Sequence, residues 1–252
     1  MEGISLSPKE LLVLASKLGA ITFYGLKDPF RGMSRAEIKA SIPQLQRQAE
    51  KRGLAVLGFE EEFTVKPEVA ELITTCTKCE RYMTVDVVVD GTQQPREAIY
   101  FYRDNSVLLQ DHTEEVILQK ADTTVLRDKI YEQYFSKQIE NKGQNEDVRL
   151  PPVLLNKLRT VYDGGEEQLK QYGCSEDMAK AIMQGLHGEC LYISLVSINI
   201  QKSTCISLLC ILSVFGIVRL WLENDAGVEH CHATWISRQG VAKELTKLFQ
   251  GF

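Results

Sequence analysis

The sequence predicts an α+β fold in two pseudo-symmetric halves, and three observations carry that reading. Apolar residues recur first every three or four positions and then every second one, the helical and the strand period. That change of period happens twice along the chain. The strand-like runs stand close together, with Asp90-Gly91, Asp104-Asn105 and Asn224-Asp225-Ala226-Gly227 between them, so they are expected to pair as antiparallel hairpins.

The first helix is signalled by Ser7-Pro8-Lys9-Glu10: a cap, a proline in the first turn and a glutamate three residues after the cap. Leu11, Leu14, Ala15 and Leu18 give it one apolar stripe, and Gly19 ends it. A second capping box stands at Ser34-Arg35-Ala36-Glu37. Pro43 is expected to divide the helical stretch after that box into helices over 35–41 and 43–52. Two short strands, 54–59 and 63–65, flank the acidic tip Glu60-Glu61-Glu62. Pro67 then opens a helix with Val69, Leu72 and Ile73 on its apolar face. Met83, Val85, Val87 and Val89 mark a half-buried strand, followed by strands over 97–103, 106–110 and 116–121. A helix over 124–138 closes this half.

Residues 140–149 contain one apolar residue, Val148, and read as a linker between halves at 1–139 and 150–252. The second half repeats the plan. Helices are expected over 152–162, 166–172 and 176–187, then strands over 190–200, 204–212, 217–223 and 228–235, then a helix over 238–249. In its first strand Leu191, Ile193 and Leu195 share one parity while Ile198 and Ile200 take the other, so a bulge is expected near Val196.

The chain has 252 residues, 44% hydrophobic and 25% charged, which excludes whole-chain disorder, collagen and coiled coil. With 29 Lys+Arg against 34 Asp+Glu the net charge is -5, so bulk attraction to nucleic acid or to an anionic membrane is disfavoured. Residues 206–218 are nearly all apolar, but a spanning helix needs roughly 20 such residues, and Arg219 ends the run. Sheet core is expected there, not membrane insertion. Seven scattered cysteines and no apolar leader fit a reducing, cytoplasmic setting.

No reactive centre is assembled by motif. Cys76-Thr77-Lys78-Cys79 has no second ligand pair for zinc, and it sits at a helix end, not at the helix start that activates a thiol. His230 and His232 share one face of a strand, about 7 Å apart, but Cys231 points away and no third ligand is near. His112, beside Asp111, reads as solvated loop, and His187 as a cation at a helix C-terminus. GxSxG, HExxH, P-loop and GxGxxG strings are absent. Catalytic, cofactor and metal residues are therefore assigned to none, and the chain is expected not to be an enzyme.

The rival class is DNA binding. Residues 7–76 have a winged-helix-like order, and between Lys27 and Arg52 seven basic residues (Lys27, Arg31, Arg35, Lys39, Arg47, Lys51, Arg52) face three acids (Asp28, Glu37, Glu50). Against it stands the glutamate wing tip, since affinity for DNA rests on phosphate neutralisation. A winged-helix transcriptional regulator is the alternative reading.

The strings Leu-Ser-Pro-Lys-Glu-Leu-Leu-Val-Leu at 6–14, Ala-Glu-Lys-Arg-Gly-Leu at 49–54 and Val-Lys-Pro-Glu-Val-Ala-Glu-Leu-Ile at 65–73, running into a strand meander, resemble the EspG family of type VII (ESX) secretion chaperones. The resemblance implies a non-enzymatic, cytoplasmic chaperone or adaptor that holds helical-hairpin secretion substrates of the WXG or PE/PPE-like kind. By analogy with that family's meander loop, residues 91–96 are the candidate contact loop, with Gly91, Gln93 and Gln94 as contacts. Tyr100 and Tyr102, which share a strand face opposite Ile99 and Phe101, are candidate anchors; the plainer reading is that they cover a second core layer.

Overall fold

The computed structural model describes residues 3–20, 22–58, 62–139, 146–161, 163–225 and 228–250. Helices and antiparallel strands are mixed, as an α+β protein requires, and the chain divides into two compact units. The first comprises Met1–Thr84, Pro95–Asp122 and Ile198–Thr204; the second comprises Val85–Gln94, Thr123–Ser197 and Cys205–Phe252. The units are thus not successive stretches on either side of 140–149, because each borrows a short segment from the other's part of the sequence.

In the first unit a short strand β1 (Ile4–Leu6) leads into α1 (Pro8–Lys17). Both capping boxes form. Ser7 Oγ accepts from the Glu10 amide at 3.2 Å while Glu10 Oε2 accepts from the Ser7 amide at 2.7 Å, and Ser34 and Glu37 do the same at the start of α2 (Arg35–Lys51). Glu10 is almost fully buried and takes a second partner, Arg52, at 2.9 Å.

Helix α2 corrects an expectation: Pro43 does not split it. A proline inside a helix removes one amide and frees one carbonyl. Here the freed carbonyl is that of Lys39, on the exposed side of the helix where water reaches it, so nothing polar is stranded in the core. Two helices, not three, therefore precede the hairpin of β2 (Ala55–Leu57) and β3 (Phe63–Val65). Glu60 and Glu61 lie outside the described residues; Glu62 is exposed.

Helix α3 (Pro67–Thr77) is followed by β4 (Arg81–Val89), β5 (Thr92–Gln93), β6 (Arg96–Tyr102), β7 (Asn105–Asp111) and β8 (Val116–Lys120). In the first unit the strands run in the order β1-β8-β7-β6-β4. Leu6, Leu11, Leu14, Val69, Leu72, Ile73, Tyr100, Leu109 and Leu118 make the core between α1, α3 and one face of that sheet.

In the second unit α4 (Thr123–Ile130) continues as a π-helical turn, Tyr131–Phe135, which shortens the helix expected over 124–138. The stretch read as linker ends in a strand, β9 (Asp147–Leu150), antiparallel to a later strand. Val148 and Leu150 alternate inward with Asp147 and Arg149 outward; one apolar residue in ten hid a period that needs only two. Then come α5 (Pro152–Leu158), α6 (Gly165–Gln171) and α7 (Glu176–His187), followed by β10 (Leu191–Asn199), β11 (Thr204–Ser213), β12 (Gly216–Asp225), β13 (Val228–Trp235) and α8 (Arg238–Gln250). Strands run β10-β11-β12-β13-β9. The apolar run 206–218 is sheet, turning at Val214-Phe215 with Gly216 opening the next strand, and among the described residues no helix is long and apolar enough to cross a membrane.

Helices α5 to α7 cover one sheet face, where Leu158, Leu169, Met178, Ile182 and Met183 pack on Ile211, Val218, Leu220, Cys231 and Ala233. Helix α8 meets the other parity, with Glu244 3.4 Å from Arg219. In β10 the inward parity of Ile193 and Leu195 continues to Ser197, which is fully buried. The expected phase slip at Val196 does not arise there: Ile198 and Ile200 belong to the first unit, and Ile200 packs on that unit's core.

Candidate protein-binding surface

The loop singled out in the sequence is a tight hairpin. Val88 pairs with Gln93 and Val89 with Thr92, and the Gln94 amide donates to the Val87 carbonyl at 2.8 Å. Asp90 and Gly91 both hold positive φ, 47° and 72°, as a two-residue turn between right-twisted strands demands. The turn is not free. It rests on the C-terminal cap of α7, where Gly188 also has positive φ, 74°, and a Cβ on Gly188 would stand 2.9 Å from the Gly91 Cα. Two glycines thus let two backbones touch, and the hairpin is held at its tip while Thr92 and Gln93 stay exposed and Gln94 half-buried.

Tyr100 and Tyr102 sit in the other unit and differ from each other. Tyr100 is fully buried. Its hydroxyl donates to the Tyr24 carbonyl at 2.5 Å, Phe23 meets its ring edge-on at 5.7 Å, and Tyr82 stacks beside it at 6.3 Å and on Tyr24 at 5.5 Å. Burial pushes the Tyr100 phenol well above its ordinary range. Tyr100 therefore offers no surface in this conformation; it pins the segment between α1 and α2 to the sheet. Tyr102 is half-buried, with the Arg103 guanidinium 5.1 Å from its ring. On the opposite parity Phe101 carries the Arg81 guanidinium 3.6 Å from its centroid, and burial lowers Arg81 to about 10.

The residues weighed for chemistry are built into packing. Cys76 lies in the last turn of α3 and Cys79 just beyond it; both are buried, and burial pushes Cys76 well above the ordinary thiol range and Cys79 to about 12. Thiols held protonated in this way are poor nucleophiles and poor metal ligands. All seven cysteines are free. His232 is buried, stacked on Trp221 at 4.8 Å. Its Nδ1 lies 3.0 Å from Asp147 Oδ1. Its Nε2 lies 2.7 Å from Glu223 Oε2, too bent for a hydrogen bond, so that contact is one of charge proximity. Carboxylates already occupy both ring nitrogens. His230, paired across the ladder with Glu223, is half-buried, and Cys231 points into the core as its parity requires. Among the described residues no three His, Cys, Asp or Glu side chains gather as a metal site. His112 lies in an exposed loop, and His187 Nε2 stands 3.0 Å from the Leu158 carbonyl oxygen.

Two features had weaker signals. The Tyr24–Tyr82–Tyr100 cluster joins residues 76 positions apart, which no local period reveals. The Asp147–His232 contact depends on β9; the alternation of Val148 and Leu150 was its trace.

No family model matches this sequence, and no curated protein does. Among solved structures the chain is similar to the Mycobacterium tuberculosis type VII secretion system chaperone EspG5, solved in complex with a PE25-PPE41 dimer. The match has a TM-score of 0.65 and covers 98% of this chain and 96% of that one, at 10% identity. The likeness is one of fold. It extends over nearly the whole of both chains, while nine in ten of the aligned residues differ.

Proposed function

We propose that this chain is a cytoplasmic, non-enzymatic chaperone or adaptor of the EspG kind, which binds a helical substrate of a type VII secretion system, WXG or PE/PPE-like. One observation carries the reading: the full-length likeness of fold to a chaperone solved with a PE–PPE dimer. The two runs of helices followed by strands are read as one plan used twice. The hairpin residues Gly91, Gln93 and Gln94 supply one contact patch. A hairpin pinned at its tip loses little freedom on binding, so its exposed amides can be satisfied by a partner at low entropic cost. Tyr102 supplies a contact in the other unit, with Tyr100 beneath it in the same strand.

Co-expression with helical-hairpin proteins of the PE/PPE and WXG kinds tests the reading. A soluble complex of near-equal stoichiometry by light scattering is expected, weakened when Gln93 and Gln94 are both replaced by arginine. If those proteins stay insoluble or elute apart from this chain, the chaperone reading is wrong. If the complex forms but ignores the substitutions, the function stands and the hairpin is not its contact.

A further inference from the structure

Helix α2 carries charge in a pattern that folding does not explain. Arg35, Lys39, Arg47 and Lys51 stand on one four-residue row, with Pro43 at the remaining place, and all five are exposed. The adjoining row is Ala36, Ala40, Gln44 and Gln48, also exposed. These two rows hold no acid, on a chain whose net charge is -5. Among the described residues none of the four cations is ion-paired. Like charges four apart on a helix repel, by roughly 0.2–0.5 kcal/mol a pair, and α2 has two such pairs. Elsewhere neighbouring positions on one helix face hold opposite charges: Glu176 with Lys180, four apart, at 2.6 Å, and Glu167 with Lys170 and Glu244 with Lys247, three apart, at 2.9 and 2.8 Å. The buried side of α2 has its own residues, Leu45 and Ala49, so the cations are not displaced from a core role.

The shape matches the charge. Rows at four-residue spacing are the ridges by which helices interlock. Between the two rows runs an open groove lined by Ala40, Pro43, Gln44, Arg47, Gln48 and Lys51. In the neutral row Ala36 and Ala40 admit close approach and Gln44 and Gln48 add uncharged polar groups, and the cationic row flanks them. We infer that this face of α2 is a docking site for an acidic helix of a partner protein, whose carboxylates, spaced four apart, run along the Arg35–Lys39–Arg47–Lys51 row. The site is independent of the Gly91–Gln94 hairpin and stands whether or not the secretion reading holds. Duplex DNA is the weaker fit. Exposed Glu62 closes the β2–β3 hairpin, whose first strand packs on α2, and the turn that would have set a recognition helix at Pro43 is replaced by continuous helix.

The test uses the full chain and a fluorescein-labelled, alanine-rich peptide with glutamate at every fourth position, read by anisotropy. Saturable binding that weakens with salt is expected, and Arg47→Glu with Lys51→Glu should weaken it about tenfold. Both positions are exposed, so the far-ultraviolet circular dichroism and the thermal midpoint should stay put. The same peptide broken by a central proline should bind several-fold more weakly. Equal binding of the intact and broken peptides would mean that charge alone is read and would overturn the proposal. So would a short DNA duplex that displaces the intact peptide, or a double variant that binds as the parent does.

Discussion

Three glycines with nearly the same backbone and different surroundings separate conformation from contact. Gly91, Gly164 and Gly188 have φ of 72°, 74° and 74°. An alanine in this left-handed region costs about 1–2 kcal/mol for its Cβ alone. At Gly164 a Cβ meets nothing within 4 Å, and at Gly91 it meets only the Gly188 carbonyl oxygen, at 3.7 Å, an ordinary contact. Both substitutions should therefore cost the conformational amount and no more. At Gly188 the same Cβ would stand 2.9 Å from the Gly91 Cα and 3.3 Å from its nitrogen, which is backbone and cannot rotate away. Overpacking that moves backbone costs roughly a further 1–3 kcal/mol. Gly188→Ala is thus expected to destabilise by about 2–4 kcal/mol, against about 1–2 for Gly164→Ala and Gly91→Ala. Urea midpoints of the three variants give the comparison. Hydrogen exchange at the Gln94 amide gives the location, because that amide bonds the Val87 carbonyl and should lose protection in Gly188→Ala alone. If Gly188→Ala costs no more than Gly164→Ala, the hairpin tip does not rest on α7 and the argument for a pinned loop fails.

Burial sets two further outcomes. Tyr100→Phe should cost about 1–2 kcal/mol, because the Tyr24 carbonyl loses its donor; it should leave client affinity unchanged, since the ring has no exposed surface, and a lost client in a folded variant would refute that placement. The thiols of Cys79, Cys174 and Cys210 are pushed up to about 12 and those of Cys190 and Cys231 to about 11 by burial. The unfolded chain loses these protons near its ordinary thiol range while the folded chain keeps them. Stability should therefore be level below about pH 8.5 and fall as pH rises toward 11, and a urea midpoint unchanged between pH 8 and pH 10.5 would count against it.

Periodicity and punctuation made most of the fold legible. Both capping boxes, the strands of each meander and the glycine-marked turns arise from residues within a few positions of one another, where the physics is local. What escaped was set by distant partners. Strand β9 exists because β13 offers it an edge, pairing Leu150 with Cys231 and Val148 with Ala233. Helix α2 stays whole through Pro43 because nothing on its exposed side needs the missing amide. The alternation of β10 runs unbroken to Ser197, where a bulge was expected, and Ile198 and Ile200, which suggested the slip, belong to the first unit. The candidate surface was legible in its turn, Asp90-Gly91, and not in its support, since Gly188 lies 97 residues away and marks only a helix end when read alone.

A likeness of fold at 10% identity constrains what can be said of the surfaces. A fold can be common to chains of 10% identity because alternation, caps and turns are patterns that many residues satisfy. A binding surface has no such tolerance, because it must match one partner's side chains, so its chemistry has to be read from this chain alone. Two places stand out on that ground, each for a feature that stability would not select. One is a pair of glycines spent on letting a hairpin touch a helix cap, which fixes exposed amides in place. The other is a helix face that gathers four cations against its own repulsion on an acidic chain. A fold that only had to stand would have put a side chain at the first and an acid at the second, as it does along α6, α7 and α8.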